Sequence, residues 1–220
     1  KLQISTYYRK LSNQIEYSGD LMSLLTDEYI LDNLLLLGSG KNYGASVMIQ
    51  RAKGNLVGWV SYTLSRSMRT FFDTNDEWMN GTYPSNQDRP HQLNVVLTFK
   101  KKKWDVGTNY VFASGKPFTS PRSIFVMDGK LLNSYGEYNG NSLPPYMRLD
   151  LSSNYYFKRT DDMTMGVNLS LYNVLMRKNV LLFRLKKAVN EYAQSRNEYI
   201  YGPMYFFIRM LPSFSFFVKF

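Results

Sequence analysis

The last ten residues, LPSFSFFVKF (211–220), alternate large apolar side chains with smaller or polar ones up to the final position. Successive side chains of a β-strand point to opposite faces, so Phe214, Phe216, Val218 and Phe220 share one face if this stretch is extended. Most domains end in a polar, frayed tail. A strand with an aromatic last residue therefore predicts that one face of the sheet meets an apolar environment.

The same alternation recurs along the chain, whereas helical periodicity is weak. It is clear in NLVGWVSYTLS (55–65), HQLNVVLTFK (91–100), MRLDLSSNYYFK (147–158) and MTMGVNLSLYN (163–173), and noisier at 1–17, 43–52, 104–115 and 204–220. The pattern predicts eight strands. Their apolar faces are expected to point at lipid through Leu93, Val95, Leu97, Phe99, Leu149, Leu151, Val167 and Leu169.

Connections between the predicted strands alternate between short and long. The short ones are KGN (53–55), KKK (101–103) and RTDD (159–162), and the long ones cover about 18–42, 71–88, 116–146 and 176–203. The strands, of about 10 to 17 residues, exceed the usual 5 to 6. These features, with aromatic residues near strand ends, predict an all-β fold: a transmembrane antiparallel β-barrel, closed because lipid supplies no hydrogen-bond partners.

The composition agrees with this fold class. Mean hydropathy is −0.34, as in a water-soluble protein, but half of each barrel strand faces a polar lumen. The chain has no Cys, which excludes a disulfide scaffold and a Cys-based zinc site. No run approaches the roughly 20 apolar residues of a membrane helix. The start, KLQISTYYRK, lacks Met and a signal-peptide core, so we expect a C-terminal portion of a longer precursor.

A net charge of +10 is compatible with binding to nucleic acid, with an anionic membrane surface or with solubility alone. Its densest part is Lys100 to Lys103, within a short turn. If the C-terminus lies at the periplasmic rim, every short turn falls inside and every long loop outside. The lysines are then expected to face lipid phosphates. Outer-membrane lipid and lipopolysaccharide are therefore the expected partners. The basic surface is too small to predict nucleic-acid binding.

Several segments resemble, in the same order, the C-terminal barrel of TonB-dependent outer-membrane receptors. The resemblance is nearest to receptors with a carboxypeptidase-regulatory-like N-terminal domain and to SusC-like transporters. It rests on GSGKNYGASVMIQRAKGNLVGWVSYTLSRSMRTF (38–71), NGTYPSNQDRPHQLN (80–94), YVFASGKPFTSP (110–121), LPPYMRLDLSSNYYF (143–157), SLYNVLMRKN (170–179) and LPSFSFFVKF (211–220). In that family His often follows the Tyr of PPYMRLD, where this chain has Met147.

The resemblance implies that residues 1–220 are the last eight strands of a barrel of about 22, the size of plugged outer-membrane transporters. The plug and the segment that engages TonB would lie upstream. Residues Phe214, Phe216, Val218 and Phe220 would form the signal read by the barrel-assembly machinery. The implied function is import of a bulky nutrient, such as a glycan, peptide or metal chelate, across a Gram-negative outer membrane, with a surface lipoprotein as partner.

Four residues are candidate substrate or partner contacts. Tyr62 and Arg66 lie where a strand meets the outer rim, and the alternative for them is a place in the lumen wall or the aromatic girdle. Leu34 and Leu35 belong to residues 20–37, a candidate amphipathic helix of the first long loop. That helix would either pack within its loop or dock a partner.

Catalytic and metal-binding residues are sparse. The single histidine, His91, sits in DRPHQLN, where a turn is favoured over chemistry because Pro90 fixes the backbone. The loop carboxylates Asp73, Asp76 and Glu77 are Ca²⁺ candidates without the spacing of a known loop. The sequence therefore predicts no enzyme and no cofactor.

Two other functional classes stay open. The same strands could form a non-transporting scaffold of an outer-membrane protein-assembly or secretion complex, with loops 18–42 and 176–203 holding partners. A self-contained eight-stranded barrel is the third reading, since the strand number is even.

Overall fold

The computed structural model describes residues 1–17, 35–72, 80–127, 130–160, 162–189 and 195–220. Over these ranges the regular structure is entirely β. The strands are β1 (Leu2–Tyr17), β2 (Leu35–Arg51), β3 (Leu56–Phe71), β4 (Gly81–Pro84), β5 (His91–Lys101), β6 (Trp104–Ala113), β7 (Pro117–Phe118), β8 (Pro121–Met127), β9 (Lys130–Tyr135), β10 (Asn141–Ser142), β11 (Tyr146–Arg159), β12 (Thr164–Tyr172), β13 (Val180–Val189), β14 (Ser195–Tyr205) and β15 (Leu211–Lys219).

Eight long strands form one antiparallel sheet in the order β1-β2-β3-β5-β6-β11-β12-β15, and β4 adds to the end of β3. They are the eight strands that alternation predicts, and each pairs with its neighbour along that series. Over their described lengths β1 and β15 are not paired with each other and form the two edges. The described strands therefore do not close into a self-contained eight-stranded barrel.

The first long loop is shorter than predicted, because β2 begins at Leu35 and not near Tyr43. Residues 38–40, Gly-Ser-Gly, look like a loop in sequence but pair with the end of β3. A Cβ at Gly38 would lie 2.5 Å from the Phe71 ring, so glycine permits this close approach. The predicted helix over 20–37 is wrong at its C-terminal end, which is strand, and its other residues lie outside the described ranges.

The last strand is also shorter than the predicted 204–220. Strand β14 ends at Tyr205, and β15 starts only at Leu211. The intervening residues are held by side chains and backbone of the preceding loop. The Asn173 side chain donates to the Arg209 carbonyl, and the Phe206 amide donates to the Asn179 carbonyl at 3.0 Å.

Two of the connections contain small sheets, three in all, that the alternation does not reveal. The pairs β7–β10 and β8–β9 lie between β6 and β11, and the β13–β14 hairpin lies between β12 and β15. Both of these connections leave one end of the main sheet, here called the long-loop rim. The opposite end, the short-turn rim, carries turns 52–55, 102–103 and 160–163 and both chain ends.

Strand register separates the main sheet into two faces. One, here called the apolar face, has Val60, Val95, Tyr110 and Leu149 side by side on four neighbouring strands. The other, here called the polar face, has Asp105, Asn154, Asn168 and Ser215 side by side. The apolar face also contains the residues predicted to be lipid-facing and the end of the chain: Leu93, Val95, Leu97, Phe99, Leu149, Leu151, Val167, Leu169, Phe214, Phe216 and Val218.

The apolar face is the more exposed one. In β2, Ile49 is 61% exposed, while its polar-face neighbours Met48 and Gln50 are partly covered. Near the other edge, Leu169 and Phe216 are 53% and 55% exposed. A soluble sheet shows the reverse arrangement, with its apolar side packed on a core. Contact of this face with lipid remains a prediction.

Buried side chains are mainly polar in the described part of the chain. Only Phe71, Ala113 and Tyr138 are buried and hydrophobic, against six buried polar residues: Ser85, Asp88, Asp105, Asn139, Asn173 and Asn179. Phe71 and Tyr138 meet edge to face, with ring centroids 5.9 Å apart, and attach residues 136–140 to the end of β3. The main sheet thus has no hydrophobic core of the usual kind.

Candidate functional site

The candidate contacts Tyr62 and Arg66 lie on the side of β3 that belongs to the apolar face. Tyr62 is opposite Leu93, and its hydroxyl is 2.7 Å from Nδ1 of His91. Arg66 pairs with Asp88 at 3.0 Å. Neither side chain lies on the polar face, so the geometry does not support a contact with substrate. It fits better the alternative that Tyr62 belongs to the aromatic girdle.

The other two candidate contacts are not brought to a site. Leu34 lies outside the described residues. Leu35 starts β2 opposite Tyr17, and its side chain is not described. The suggested Ca²⁺ ligands Asp73, Asp76 and Glu77 also fall outside. Among the described residues no three His, Asp or Glu side chains converge as a metal site would require.

Asp88 holds the start of β5 to β3, as the turn reading of DRPHQLN suggests. Its side chain is 2% exposed and accepts hydrogen bonds from the Ser67 amide at 2.6 Å and from Arg66 Nη1 at 3.0 Å. Ser67 also bonds Ser85 and Asn42 through its hydroxyl, both at 2.9 Å. This network holds residues 85–90, which lead into β5, against β3.

Asp88→Ala is expected to lower the free energy of unfolding by about 1–3 kcal/mol, because it leaves a buried backbone N–H without an acceptor. The measurement is the urea midpoint of the intact protein in phospholipid vesicles. Asp162→Ala, at an exposed carboxylate in a short turn, is the matched control and should change the midpoint little. Equal shifts for the two variants would contradict the structural role of Asp88.

Two carboxylates organise the polar face. Asp150 accepts from the Asn173 amide at 2.9 Å, Arg148 Nε at 3.0 Å and Asn109 Nδ2 at 3.3 Å. Asp105, near the short-turn rim, accepts from the Tyr156 hydroxyl at 2.8 Å and from Arg159 Nη1 at 3.2 Å. Both acids already have cationic partners, so these clusters are stabilising parts of the wall and leave no charge free for a ligand.

A cavity of about 330 Å³ lies on the polar face at the long-loop rim. Its floor is formed by β5, β6 and the start of β11, and its charged and amide groups are Arg89, Lys116, Gln92 and Asn94. The rest of the lining is Tyr146, Ser114, Gly115 and a set of apolar residues: Val111, Phe112, Ala113, Leu143, Pro144, Val180, Leu181 and Phe206.

Backbone hydrogen bonds hold the cavity rim in place. The Ser114 amide donates to the His91 carbonyl and the Leu143 amide to the Lys116 carbonyl, both at 2.8 Å. A Cβ added at Gly115 would overlap the Leu143 carbonyl, so only glycine allows the two segments to approach this closely. The cavity is therefore built by ordered main chain and not by side chains alone.

The two cations of the cavity are partly removed from water. Burial lowers the pKa of the Arg89 guanidinium. Burial also lowers the pKa of Lys116, and the nearby positive charge of Arg89 lowers it further. No carboxylate lines the cavity among the described residues. Loss of water and mutual repulsion both disfavour these charges, and the attraction of a bound anion would offset that cost.

Sequence reasoning missed Arg89 and Lys116 as a pair, although both lie in the quoted segments NGTYPSNQDRPHQLN and YVFASGKPFTSP. They are separated by 26 residues, and neither segment has a binding motif. The signal that would find them is topological. Strands β5 and β6 form a hairpin, so residues just before β5 and just after β6 meet at one rim.

Comparison with known proteins gives one match. A family model described as TonB dependent receptor-like, beta-barrel matches residues 1–174. No curated protein and no solved structure matches the chain. In the ranges that the structure describes, no helix is long and apolar enough to cross a membrane.

Proposed function

Since the chain belongs to the TonB-dependent receptor-like β-barrel family, we propose that it forms part of the wall of an outer-membrane receptor that imports a bulky nutrient. The family implies a bacterial outer-membrane location and interaction with TonB, and it is a family of transporters, not of enzymes. A glycan, a peptide or a metal chelate is the proposed class of nutrient. The family match ends at residue 174, but β15 continues the same sheet by pairing with β12.

The observation that carries the proposal is that the main sheet is inverted, which means that its apolar face is more exposed than its polar face. Eight long antiparallel strands expose a face rich in Leu, Val, Ile and aromatic residues and cover a face lined by Asn, Ser and paired charges. In a bilayer the first face is favourable against lipid and the second against a wet lumen. We propose that the predicted lipid-facing residues on β5, β11 and β12 contact lipid, and that the polar face lines the import path.

The edges β1 and β15 have unpaired backbone groups that a bilayer cannot satisfy. Further strands of a larger barrel, of about 22 strands as in plugged transporters, would pair with both. Membership of the SusC-like group and docking of a surface lipoprotein on the long loops are finer parts of the same proposal. In this orientation the long-loop rim faces outward. Lys101 to Lys103 face lipid phosphates at the inner rim, whereas Lys100 lies opposite Asp105 on the polar face.

Growth of the source bacterium tests the transport function. A deletion strain is grown with single glycans, peptides or iron chelates as the limiting nutrient, beside a strain whose TonB is inactivated. We expect the deletion to abolish growth on at least one nutrient, and loss of TonB to abolish growth on the same one. Normal growth on every nutrient, with other outer-membrane proteins depleted, would contradict transport and favour the scaffold.

A further inference from the structure

We propose that the cavity at the long-loop rim binds an anionic group of the imported nutrient, a carboxylate, sulfate or phosphate, between Arg89 and Lys116. This inference rests on the proposed function, because it names the chemistry that the import path would recognise. The cavity lies on the polar face, at the rim with the long connections, where an incoming ligand is met first under that proposal.

The charges around the polar face support an anion over a neutral ligand. Three described arginines on this side have carboxylate partners within 3.3 Å: Arg69 with Glu16, Arg148 with Asp150 and Arg159 with Asp105. Arg89 and Lys116 have no such partner among the described residues. Arg9, Lys100 and Lys219 of the same face also have no carboxylate partner among the described residues, but they are exposed, whereas Arg89 and Lys116 lie partly covered in one cavity.

The rest of the lining favours the same ligand class. Gln92 and Asn94 supply amide donors beside the two cations. Leu143, Val180 and Phe206 make part of the lining apolar, and an ionic contact is stronger beside apolar groups than in open water. Arg89 offers a planar fork suited to two oxygens of one anion, while Lys116 offers a mobile point charge. A volume of about 330 Å³ admits an anionic group with part of the molecule that bears it.

Lysine NMR of the intact receptor in detergent tests the proposal with inorganic sulfate as probe. The lysines are ¹³C-dimethylated, and the Lys116 signal is assigned by its absence in Lys116→Arg. Sulfate is then exchanged for chloride at constant ionic strength. We expect the Lys116 signal to move and saturate while the signals of the short-turn lysines stay nearly still. A Lys116 signal that does not move, or moves in parallel with the others, would overturn the proposal.

Variants at Arg89 sharpen the test. Arg89→Gln should weaken sulfate binding about ten-fold or more, as expected for loss of a charged hydrogen-bond donor, whereas Arg89→Lys should keep much of it. Arg122→Gln, which removes an exposed charge from the same connection, is the matched control and should not change binding. Equal weakening by Arg122→Gln would show a general charge effect and contradict a built site.

Phosphate and acetate titrations then separate tetrahedral anions from carboxylates as the natural group. The experiment needs neither TonB nor an energised membrane, so its failure is distinct from failure of transport. Sulfate binding without TonB-dependent growth would reject the import function and retain the anion site. TonB-dependent growth without any saturable anion effect at Lys116 would retain the function and reject the anion site.

Discussion

Val95→Arg is expected to destabilise the folded protein in a bilayer by about 2–4 kcal/mol, the cost measured for a cation on the lipid face of an outer-membrane barrel near the midplane. Val95 lies at the middle of β5, beside Val60 on β3 and Tyr110 on β6. Neither of these neighbours offers an arginine a carboxylate partner. Its only relief is to extend its side chain to a rim.

The next residue along the strand provides the control. Val96→Arg makes the same change on the polar face, where Val96 lies beside Asn109 and Trp59 and lines a water-open concavity with Asp150. An arginine there stays hydrated and near a carboxylate. We expect its unfolding free energy to remain within about 1 kcal/mol of the parent, the range of a surface pair.

The measurement is urea unfolding of the intact protein from phospholipid vesicles, followed by tryptophan fluorescence, with outer-membrane levels of both variants compared in cells. Val95→Arg should lower both the midpoint and the membrane level. If Val96→Arg proved as costly as Val95→Arg, or more so, the two faces would be assigned the wrong way round. The exposure of the apolar face would then no longer support the proposal that this face contacts lipid.

The eight strands could be predicted from sequence because lipid and lumen impose opposite demands on alternate residues. Leu93, Val95, Leu97 and Phe99 alternate with polar or smaller neighbours for the whole length of β5, so one strand already defines both faces. Short turns such as Lys102–Lys103 also predict which strands are neighbours in the sheet, since a two-residue turn joins only adjacent antiparallel strands. Local patterns of this kind need no knowledge of the tertiary structure.

Strand ends and loop structure could not be predicted in the same way. Strand β2 extends through Gly38 and Gly40 because Phe71 and Arg69 of β3 fill the space beside them. That is a cross-strand property, and the glycines alone suggest a loop. The hairpins inside the long connections lie outside the main sheet. They have no face that must stay apolar against lipid, so their apolar residues need not alternate regularly.

The candidate site was the least predictable part. Tyr62 and Arg66 are candidates in sequence because they are polar or aromatic at a strand end, but the register places both on the apolar side of β3. Arg89 and Lys116 become significant only after the fold brings the two ends of the β5–β6 hairpin together at one rim. Their meaning depends on the carboxylates that are absent from the lining of the described cavity, which no single segment of sequence reveals.

Phe220→Ala is expected to remove most of the folded protein from the outer membrane while leaving its stability nearly unchanged. Phe220 lies beyond the end of β15 and is 91% exposed, so the folded sheet gains little from it. An exposed substitution of this kind usually changes the unfolding free energy by no more than about 0.5 kcal/mol. Its expected effect on membrane level comes from the proposed role of the last residues as an assembly signal.

Two further phenylalanines separate assembly from stability. Phe216 lies opposite Val167 on the apolar face, and Phe216→Ala should lower stability in vesicles by up to about 3 kcal/mol, the upper value for burying such a side chain. Phe207, 90% exposed in the segment between β14 and β15, is matched to Phe220 in exposure. Phe207→Ala should alter neither quantity.

Outer-membrane level in cells and urea midpoint after refolding into vesicles without any assembly factor are measured for all three variants. Loss of membrane level with an unchanged midpoint for Phe220→Ala alone would assign the last residue to recognition during assembly. A normal membrane level for Phe220→Ala would refute that role. A midpoint lowered as far as that of Phe216→Ala would instead place Phe220 in the lipid-facing wall, where its contribution is to the stability of the folded barrel.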